Sequence, residues 1–158
     1  MKKLADALYS LCITLWVGGL LAIGYVAVPV LFMRLADRSL AGYLAGDMFA
    51  IGGWIGLFCA LYLLGYLFRV HGRAALCNPV CRVVVLMLLL AMAGQFLIQP
   101  IIAGLRTEAL PLPVMQSALA SSFSRWHGVS SVMYLLQAVL GVGLVLIQGR
   151  GRRPDPAA

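Results

Sequence analysis

Charged residues are scarce in this sequence. Of its 158 residues, 11% are Asp, Glu, Lys or Arg and 63% are apolar, whereas a soluble domain carries about 25% charged residues. This shortage excludes a soluble globular protein and indicates an integral membrane protein. The apolar residues form four runs of about 20, each long enough to cross the hydrocarbon core of a bilayer as a helix. Four such runs use up the chain and leave no room for a soluble catalytic domain, a nucleotide-binding fold or a nucleic-acid module.

The four apolar runs predict a single domain. Backbone polar groups in lipid must find their partners within the protein, so we expect four transmembrane helices, at about residues 8–29, 48–68, 83–104 and 126–147. The predicted fold is an all-α four-helix transmembrane bundle over residues 1–148. Residues 149–158 have no apolar periodicity and are predicted to form a disordered tail.

Acidic residues are scarcer than basic ones. The chain has 12 Lys and Arg against 5 Asp and Glu, which gives a net charge of +7. Counted over alternate connections, eight basic residues flank one side of the predicted bundle and four flank the other. Basic residues accumulate on the cytoplasmic side of membrane proteins, so both termini and the tail are predicted to be cytoplasmic. The positive charge then orients the chain and contacts anionic headgroups, which argues against a nucleic-acid partner.

Two connections on the predicted outer side have helical patterns of their own. In residues 34–46, apolar side chains share one helical face and polar ones another, which predicts a short amphipathic helix on the outer surface. Pro111 and Pro113 mark a break after span three. Apolar residues then recur with helical spacing from Val114 to Trp126, which predicts a second short amphipathic helix leading directly into span four.

Small residues recur at every fourth position in the first two spans. Gly52, Gly56 and Ala60 have this spacing in span two, and Gly18 and Ala22 have it in span one. Such patterns let helix backbones approach each other closely. We therefore interpret these five residues as helix-packing positions rather than as a binding loop.

Polar residues within spans three and four carry the main functional hypothesis. Those of span four share one helical face, and those of span three form a second stripe beside Pro100, which is expected to kink its helix. Polar groups in a membrane helix face protein or water, so the stripes predict a polar seam between spans three and four, widest on the outer side. Its residues are Gln95, Gln99, Arg106, His127, Ser130, Tyr134 and Gln137. The seam is either a hydrogen-bond network that only holds the bundle together or a binding site.

His127 has two interpretations. Near the outer interface, it fits an ordinary residue at the level of the lipid headgroups. Alternatively it is a ligand or a proton acceptor, and together with Met33, Met48 and Met115 it would suit Cu(I). Haem held by two histidines is disfavoured, since His71 is predicted on the opposite side. A serine-protease arrangement is disfavoured as well, because no acid within the spans orients His127.

Short motifs in both halves of the chain resemble a known family. They are Trp16-Val-Gly-Gly19, Pro29, Phe32, Ala41-Gly42 and Phe49, and, in span four, Phe123 with His127-Gly-Val-Ser-Ser131. On these residues the chain resembles a bacterial family of uncharacterised four-span membrane proteins, the domain of unknown function 4149 type, which is similar to the eukaryotic transmembrane protein 205. The resemblance implies a four-helix bundle and hints at the handling of soft metals or at trafficking. Tyr134 departs from the family pattern, in which Asn is expected.

The sequence therefore predicts a multi-pass protein of the bacterial inner membrane without enzymatic activity or a resident cofactor. Its outer-facing seam is expected to bind a small ligand, a metal ion or a partner membrane protein, and self-association in the bilayer is compatible with this reading. The alternative is a haem- or copper-dependent redox or metal-tolerance protein that uses His127 as a ligand.

Overall fold

Four helical segments, each long and apolar enough to cross a membrane, make up the bundle. The computed structural model describes residues 2–151. The segments, called spans 1 to 4 below, are Lys2–Arg34, Arg38–Cys77, Pro79–Glu108 and Ala120–Gly149. Their number and order confirm the predicted all-α membrane bundle.

Spans 1 and 3 share one construction, in which a π-helical segment separates two α-helices. Spans 2 and 4 are each built on one long α-helix. In chain order, the elements are α1 (Lys2–Ala22), a π-helical segment (Ile23–Ala27), α2 (Val28–Arg34), α3 (Arg38–His71), a 3₁₀ segment (Gly72–Cys77), α4 (Pro79–Ala93), a second π-helical segment (Gly94–Ile98), α5 (Gln99–Glu108), a 3₁₀ turn (Val114–Gln116) and α6 (Ala120–Gly151).

The connections lie at two ends of the bundle. We call the end with residues 35–37 and 109–119 the loop end, and the end with Lys2, residues 72–78 and the last described turn of α6 the terminal end. Two of the turns are fixed by side chains that cap the next helix. Asp37 accepts hydrogen bonds from the backbone N–H groups of Ser39 and Leu40, at 2.8 and 3.2 Å, and Asn78 caps α4 in a similar way. Because both caps satisfy otherwise free N–H groups, the helices begin directly after short turns.

The two connections at the loop end differ in detail from the two predicted short helices. Residues 38–46 are the first turns of α3 rather than a separate helix, because no proline interrupts the chain between the Asp37 cap and His71. In the second connection, Val114–Gln116 forms a 3₁₀ turn and α6 begins only at Ala120. The side chain of Ser117 accepts a hydrogen bond from the N–H of Leu119, at 3.1 Å, and this local bond separates the turn from the helix.

Each π-helical segment lies just before a proline, Pro29 in span 1 and Pro100 in span 3. Proline has no N–H to donate and its ring clashes with the carbonyl four residues earlier, so the helix must deform at this place. Widening into a π-helical turn is one way to absorb the clash. The predicted distortion at Pro100 takes this form, and the same distortion in span 1 was not predicted.

The best-packed part of the bundle lies in its terminal half. A cluster of buried side chains from all four spans fills this half. Its members are Ile13, Trp16, Val17, Cys59, Ala60, Leu63, Val84, Met87 and Leu144. Trp16 is the largest side chain of this cluster and lies near its end on span 1, and only 3% of its surface is exposed. The packed half therefore ends at about the level of Trp16.

The C-terminal end of α6 overlaps the segment predicted as a disordered tail. The helix continues to Gly151, so the first residues of the segment predicted as disordered are helical. Residues 152–158 of that segment lie outside the described residues.

Candidate functional site

The loop half of the bundle contains a partly open cavity of about 990 Å³. All four spans line it, together with the turn at residues 113–116. Trp16 and Leu20 lie at its deep end, beside the packed cluster, whereas Arg38 and Gln116 lie at the loop end. The cavity therefore begins where the packed half ends, and it reaches the end of the bundle that carries the long connection.

All seven polar residues predicted for the seam line this cavity. They are Gln95, Gln99, Arg106, His127, Ser130, Tyr134 and Gln137. Their surroundings correct one expectation, since the site is not a seam between spans 3 and 4 alone. Spans 1 and 2 contribute much of the lining, and the hydrogen bonds of the polar side chains cross to those two spans. The reason is geometric: glycines on spans 1 and 2 leave space that long side chains from spans 3 and 4 occupy.

Arg106 is a basic residue of the cavity lining that is fixed by contacts with two neighbouring helices. Its Nη2 donates a hydrogen bond to the carbonyl oxygen of Gly42, at 3.0 Å. Its guanidinium carbon lies 5.0 Å from the ring centroid of Tyr43 and 5.5 Å from that of Phe123, distances at which a ring face attracts a cation. Asp47, on the next turn of α3, adds a weaker electrostatic attraction. Arg106 thus ties α5 to α3 and α6 at the loop end.

Gln95 and Tyr134 make similar crossings deeper in the cavity. The side-chain amide of Gln95 donates to the carbonyl of Ala50 on α3, at 3.4 Å. The hydroxyl of Tyr134 donates to the carbonyl of Leu20 on α1, and its ring packs edge-on against Phe49, with centroids 4.9 Å apart. These two side chains join spans 3 and 4 to spans 2 and 1, which is the structural role that the sequence left open.

The other four polar residues have no such partners. Within residues 2–149, no hydrogen bond is made by the side chains of Gln99, His127, Ser130 or Gln137. No buried side-chain nitrogen or oxygen atom of the described residues lacks a partner, so the polar atoms of these four residues are accessible. His127 is exposed and stacks on Phe123, with centroids 5.9 Å apart and planes 6° apart. The four side chains therefore offer polar groups to the cavity rather than to the protein.

The predicted helix-packing residues fall into two groups. Gly52, Gly56 and Ala60 face span 1: a Cβ at Gly52 would lie 3.0 Å from Ile23 Cδ1, and the indole of Trp16 lies beside Gly56. Gly18 and Ala22 differ from the prediction, because both are exposed and no atom lies within 4 Å of the place where a Cβ on Gly18 would be. Close approach thus involves the glycine face of span 2 but not Gly18 and Ala22 of span 1.

The side chains of the lining that can carry a charge near neutral pH are all basic. Arg38, Arg106 and His127 are among the lining residues, and no Asp or Glu is found there among the described residues. The remaining lining is mainly apolar, with aromatic rings at Tyr43 and Phe123 near the loop end. Such a surface suits a ligand with an apolar body and few polar groups of negative or neutral character.

The described residues form no cluster of His, Cys, Asp and Glu side chains around His127. No group of three or more His, Cys, Asp or Glu side chains in residues 2–151 could hold a metal ion. His71 ends α3 at the terminal end, and of the three methionines considered with His127, Met115 lines the cavity whereas Met33 and Met48 do not. A haem or copper site at His127 is therefore not supported by a second ligand.

Sequence reasoning missed the part of the site that lies on spans 1 and 2. Gly42 and Gly46 border the guanidinium of Arg106, and a Cβ on Gly46 would lie 2.9 Å from its Nη1. Gly53 borders Gln95 in the same manner, at 2.5 Å from Oε1. The available signal was the number of glycines in span 2, which exceeds what one packing stripe requires.

Comparison with known proteins gives one match. The family model described as domain of unknown function (DUF4149) matches residues 11–111, which is more than half of the chain. The match includes most of span 1 and all of spans 2 and 3, and it ends before His127. No curated protein and no solved structure matches the chain significantly. The predicted relationship to transmembrane protein 205 and the predicted bacterial origin stay predictions.

Proposed function

The chain belongs to the family described as domain of unknown function (DUF4149), and we propose that it is a membrane-embedded binding protein. A small molecule enters the cavity in the loop half of the bundle and is held there between the four spans. In this proposal the protein carries out no covalent chemistry, and the cavity residues select what is bound.

One observation carries the proposal. Gln99, His127, Ser130 and Gln137 line the cavity without a hydrogen-bond partner in the described part of the chain. In an apolar surrounding an unpaired polar group is costly, so these groups need water or a ligand as partner. A network that only held the bundle together would pair them with each other or with the backbone, as Gln95, Arg106 and Tyr134 are paired. The unpaired groups are therefore better explained by an occupant of the cavity.

The proposal includes an orientation. Basic residues near the terminal end, among them Lys2, Lys3, Arg69 and Arg73, favour a cytoplasmic location for that end. The loop end then faces the outside, and the cavity takes its ligand from the outer leaflet or from the outer aqueous phase. The proposed location is the bacterial inner membrane, with both termini in the cytoplasm.

The experiment uses two neighbouring glycines of α1. Gly19 lines the cavity and Gly18 is exposed on the outside of the bundle, and no atom lies within 4 Å of a Cβ added at either position. Leucine is a better helix former than glycine at both positions. Gly19→Leu places its side chain in the cavity, whereas Gly18→Leu places the same side chain on the outer surface, so the two variants differ mainly in cavity volume.

Native mass spectrometry of the full-length protein, purified from its own host membrane, provides the readout. We expect the wild-type protein and Gly18→Leu to retain a bound small molecule, and Gly19→Leu to lose it. Thermal unfolding in detergent verifies that both variants fold. A wild-type protein without any bound molecule, or equal retention by the two variants, would overturn the proposal.

A further inference from the structure

The charge of the cavity limits what it can hold. Arg38 and Arg106 line it, and no acidic side chain is found in the lining among the described residues. A cation that is partly removed from water is stabilised by a nearby anion. Asp47 acts on Arg106 only as a weaker attraction from outside the lining. An occupant that brings its own negative charge would complete the site.

Arg106 has donors to spare for such a charge. A guanidinium carries five N–H groups, and the hydrogen bond to Gly42 uses one of them. Since no buried nitrogen of the described side chains lacks a partner, the remaining donors of Arg106 are accessible rather than enclosed by protein. The rings of Tyr43 and Phe123 hold the guanidinium in place, which prepares it to bind two oxygen atoms of one acidic group.

The cavity is long and its lining is mainly apolar. Trp16, Leu20 and Leu90 line it at the deep end. Leu90 and Arg106 both line the cavity on span 3. At a rise of 1.5 Å per residue, the stretch of helix between them is roughly 24 Å long. That is more than half of a hydrocarbon core about 30 Å thick. A polar group at Arg106 and an apolar chain that extends toward Trp16 therefore fit the length and the mainly apolar lining of the cavity.

We propose that the ligand is a single-chain amphiphile with an acidic headgroup, a carboxylate or a phosphate, bound at Arg106 with its hydrocarbon chain directed toward Trp16. This inference rests on the proposed function above. One chain rather than two is favoured because about 990 Å³ is at the upper end of the roughly 300–1,000 Å³ typical of pockets for single small molecules.

The test measures binding of radiolabelled hexadecanoate to the full-length protein in phosphatidylcholine nanodiscs, with empty nanodiscs as background. Hexadecyl phosphate and 1-hexadecanol serve as competitors with the same chain. We expect saturable binding of hexadecanoate, and 1-hexadecanol should compete at least about tenfold more weakly, since it offers no charge to Arg106. The hexadecyl phosphate arm shows whether the site prefers a phosphate or a carboxylate.

Matched variants locate the headgroup. Arg106→Gln should weaken hexadecanoate binding at least about tenfold. Arg125→Gln removes the same charge at the same end of the bundle, but Arg125 is exposed, bonds to Ser122 and is not a lining residue. Hexadecanoate binding by this variant should therefore stay unchanged. If loss of the Gly42 bond unfolds Arg106→Gln, the charge dependence is tested with Arg38→Gln instead. Arg38 is an exposed lining residue, and removal of its charge should weaken hexadecanoate binding about threefold.

The outcomes separate this inference from the proposed function. Equal affinity for hexadecanoate and 1-hexadecanol, unaffected by the arginine variants but lost in Gly19→Leu, would leave a ligand-binding cavity and overturn the acidic headgroup. Failure of all three amphiphiles to bind, while the purified protein still carries a molecule that Gly19→Leu loses, would overturn the amphiphile alone. Failure of both experiments would overturn both proposals.

Discussion

The ring of Tyr134 occupies the space beside Gly24 in which any other residue would place its side chain. This contact brings the hydroxyl of Tyr134 to the carbonyl of Leu20, one turn earlier on span 1. The two interactions join span 4 to span 1 in the loop half, where the bundle has a cavity instead of a packed core. Tyr134 therefore joins spans 1 and 4 beside the cavity.

We expect Tyr134→Phe to keep the ring contact and to lose the hydrogen bond. The Leu20 carbonyl is then left without this partner, and the free energy of unfolding should fall by roughly 0.5–1.5 kcal/mol. Chemical unfolding in mixed micelles measures the change. Tyr25→Phe is the control, because Tyr25 is exposed and makes no hydrogen bond within the described residues. Equal stability of the two variants would show that the Leu20 bond adds nothing.

Substitution of Gly56 tests the packing of spans 1 and 2. The indole of buried Trp16 lies where the Gly56 side chain would be, so Gly56→Leu should push the spans apart and destabilise the bundle by roughly 1–3 kcal/mol. Gly65→Leu makes the same chemical change in the same helix, at an exposed position without any atom within 4 Å of the added Cβ. Thermal unfolding in detergent should separate the two, and identical melting curves would contradict the close contact with Trp16.

Topology is tested by fusions to alkaline phosphatase, which is active only in an oxidising exterior compartment. We expect a fusion after Ala158 to be inactive and a fusion after Pro113, in the second connection of the loop end, to be active. The reason is the excess of basic residues around the terminal end. The reverse pattern of activity would place the cavity mouth on the cytoplasmic side.

His127 offers a test of binding that is separate from folding. Its side chain is exposed and makes no hydrogen bond within the described residues, and its only ring contact there is the stack on Phe123. We expect His127→Ala to change the free energy of unfolding by no more than about 0.5 kcal/mol and to reduce retention of the bound molecule. His71→Ala, at an exposed histidine of the terminal end, should affect neither. Normal retention by His127→Ala would remove this residue from the site.

The polar half of the site could be predicted from the sequence because its residues differ from the apolar residues around them. Within runs that are otherwise apolar, residues such as Gln95, Gln99 and Gln137 stand out, and helical periodicity places them on defined faces. Membrane burial then requires those faces to point inward. The same argument gives the number of spans, since each apolar run of the required length forms one of them.

The glycine half of the site could not be predicted in this way. A glycine that accommodates a side chain from another span has the same sequence signature as one that lets two backbones touch. Gly56 accommodates the indole of Trp16 from span 1, whereas Gly53 accommodates the amide of Gln95 from span 3, although both belong to one glycine-rich stretch. The difference depends on which residue lies opposite, and a single sequence does not contain that information.

The packed cluster and the cavity proposed to bind a ligand occupy different halves of this protein. The packed cluster lies in the terminal half and the cavity in the loop half. Replacement of lining residues that make no bond to another span, such as Gln99 or Gln137, can therefore change the preferred molecule in a related chain without loosening the packed cluster, and the two halves can diverge at different rates. Trp16 belongs to both. A substitution of Trp16 that adapted the cavity to a longer or shorter occupant would also disturb the packed cluster that maintains the fold.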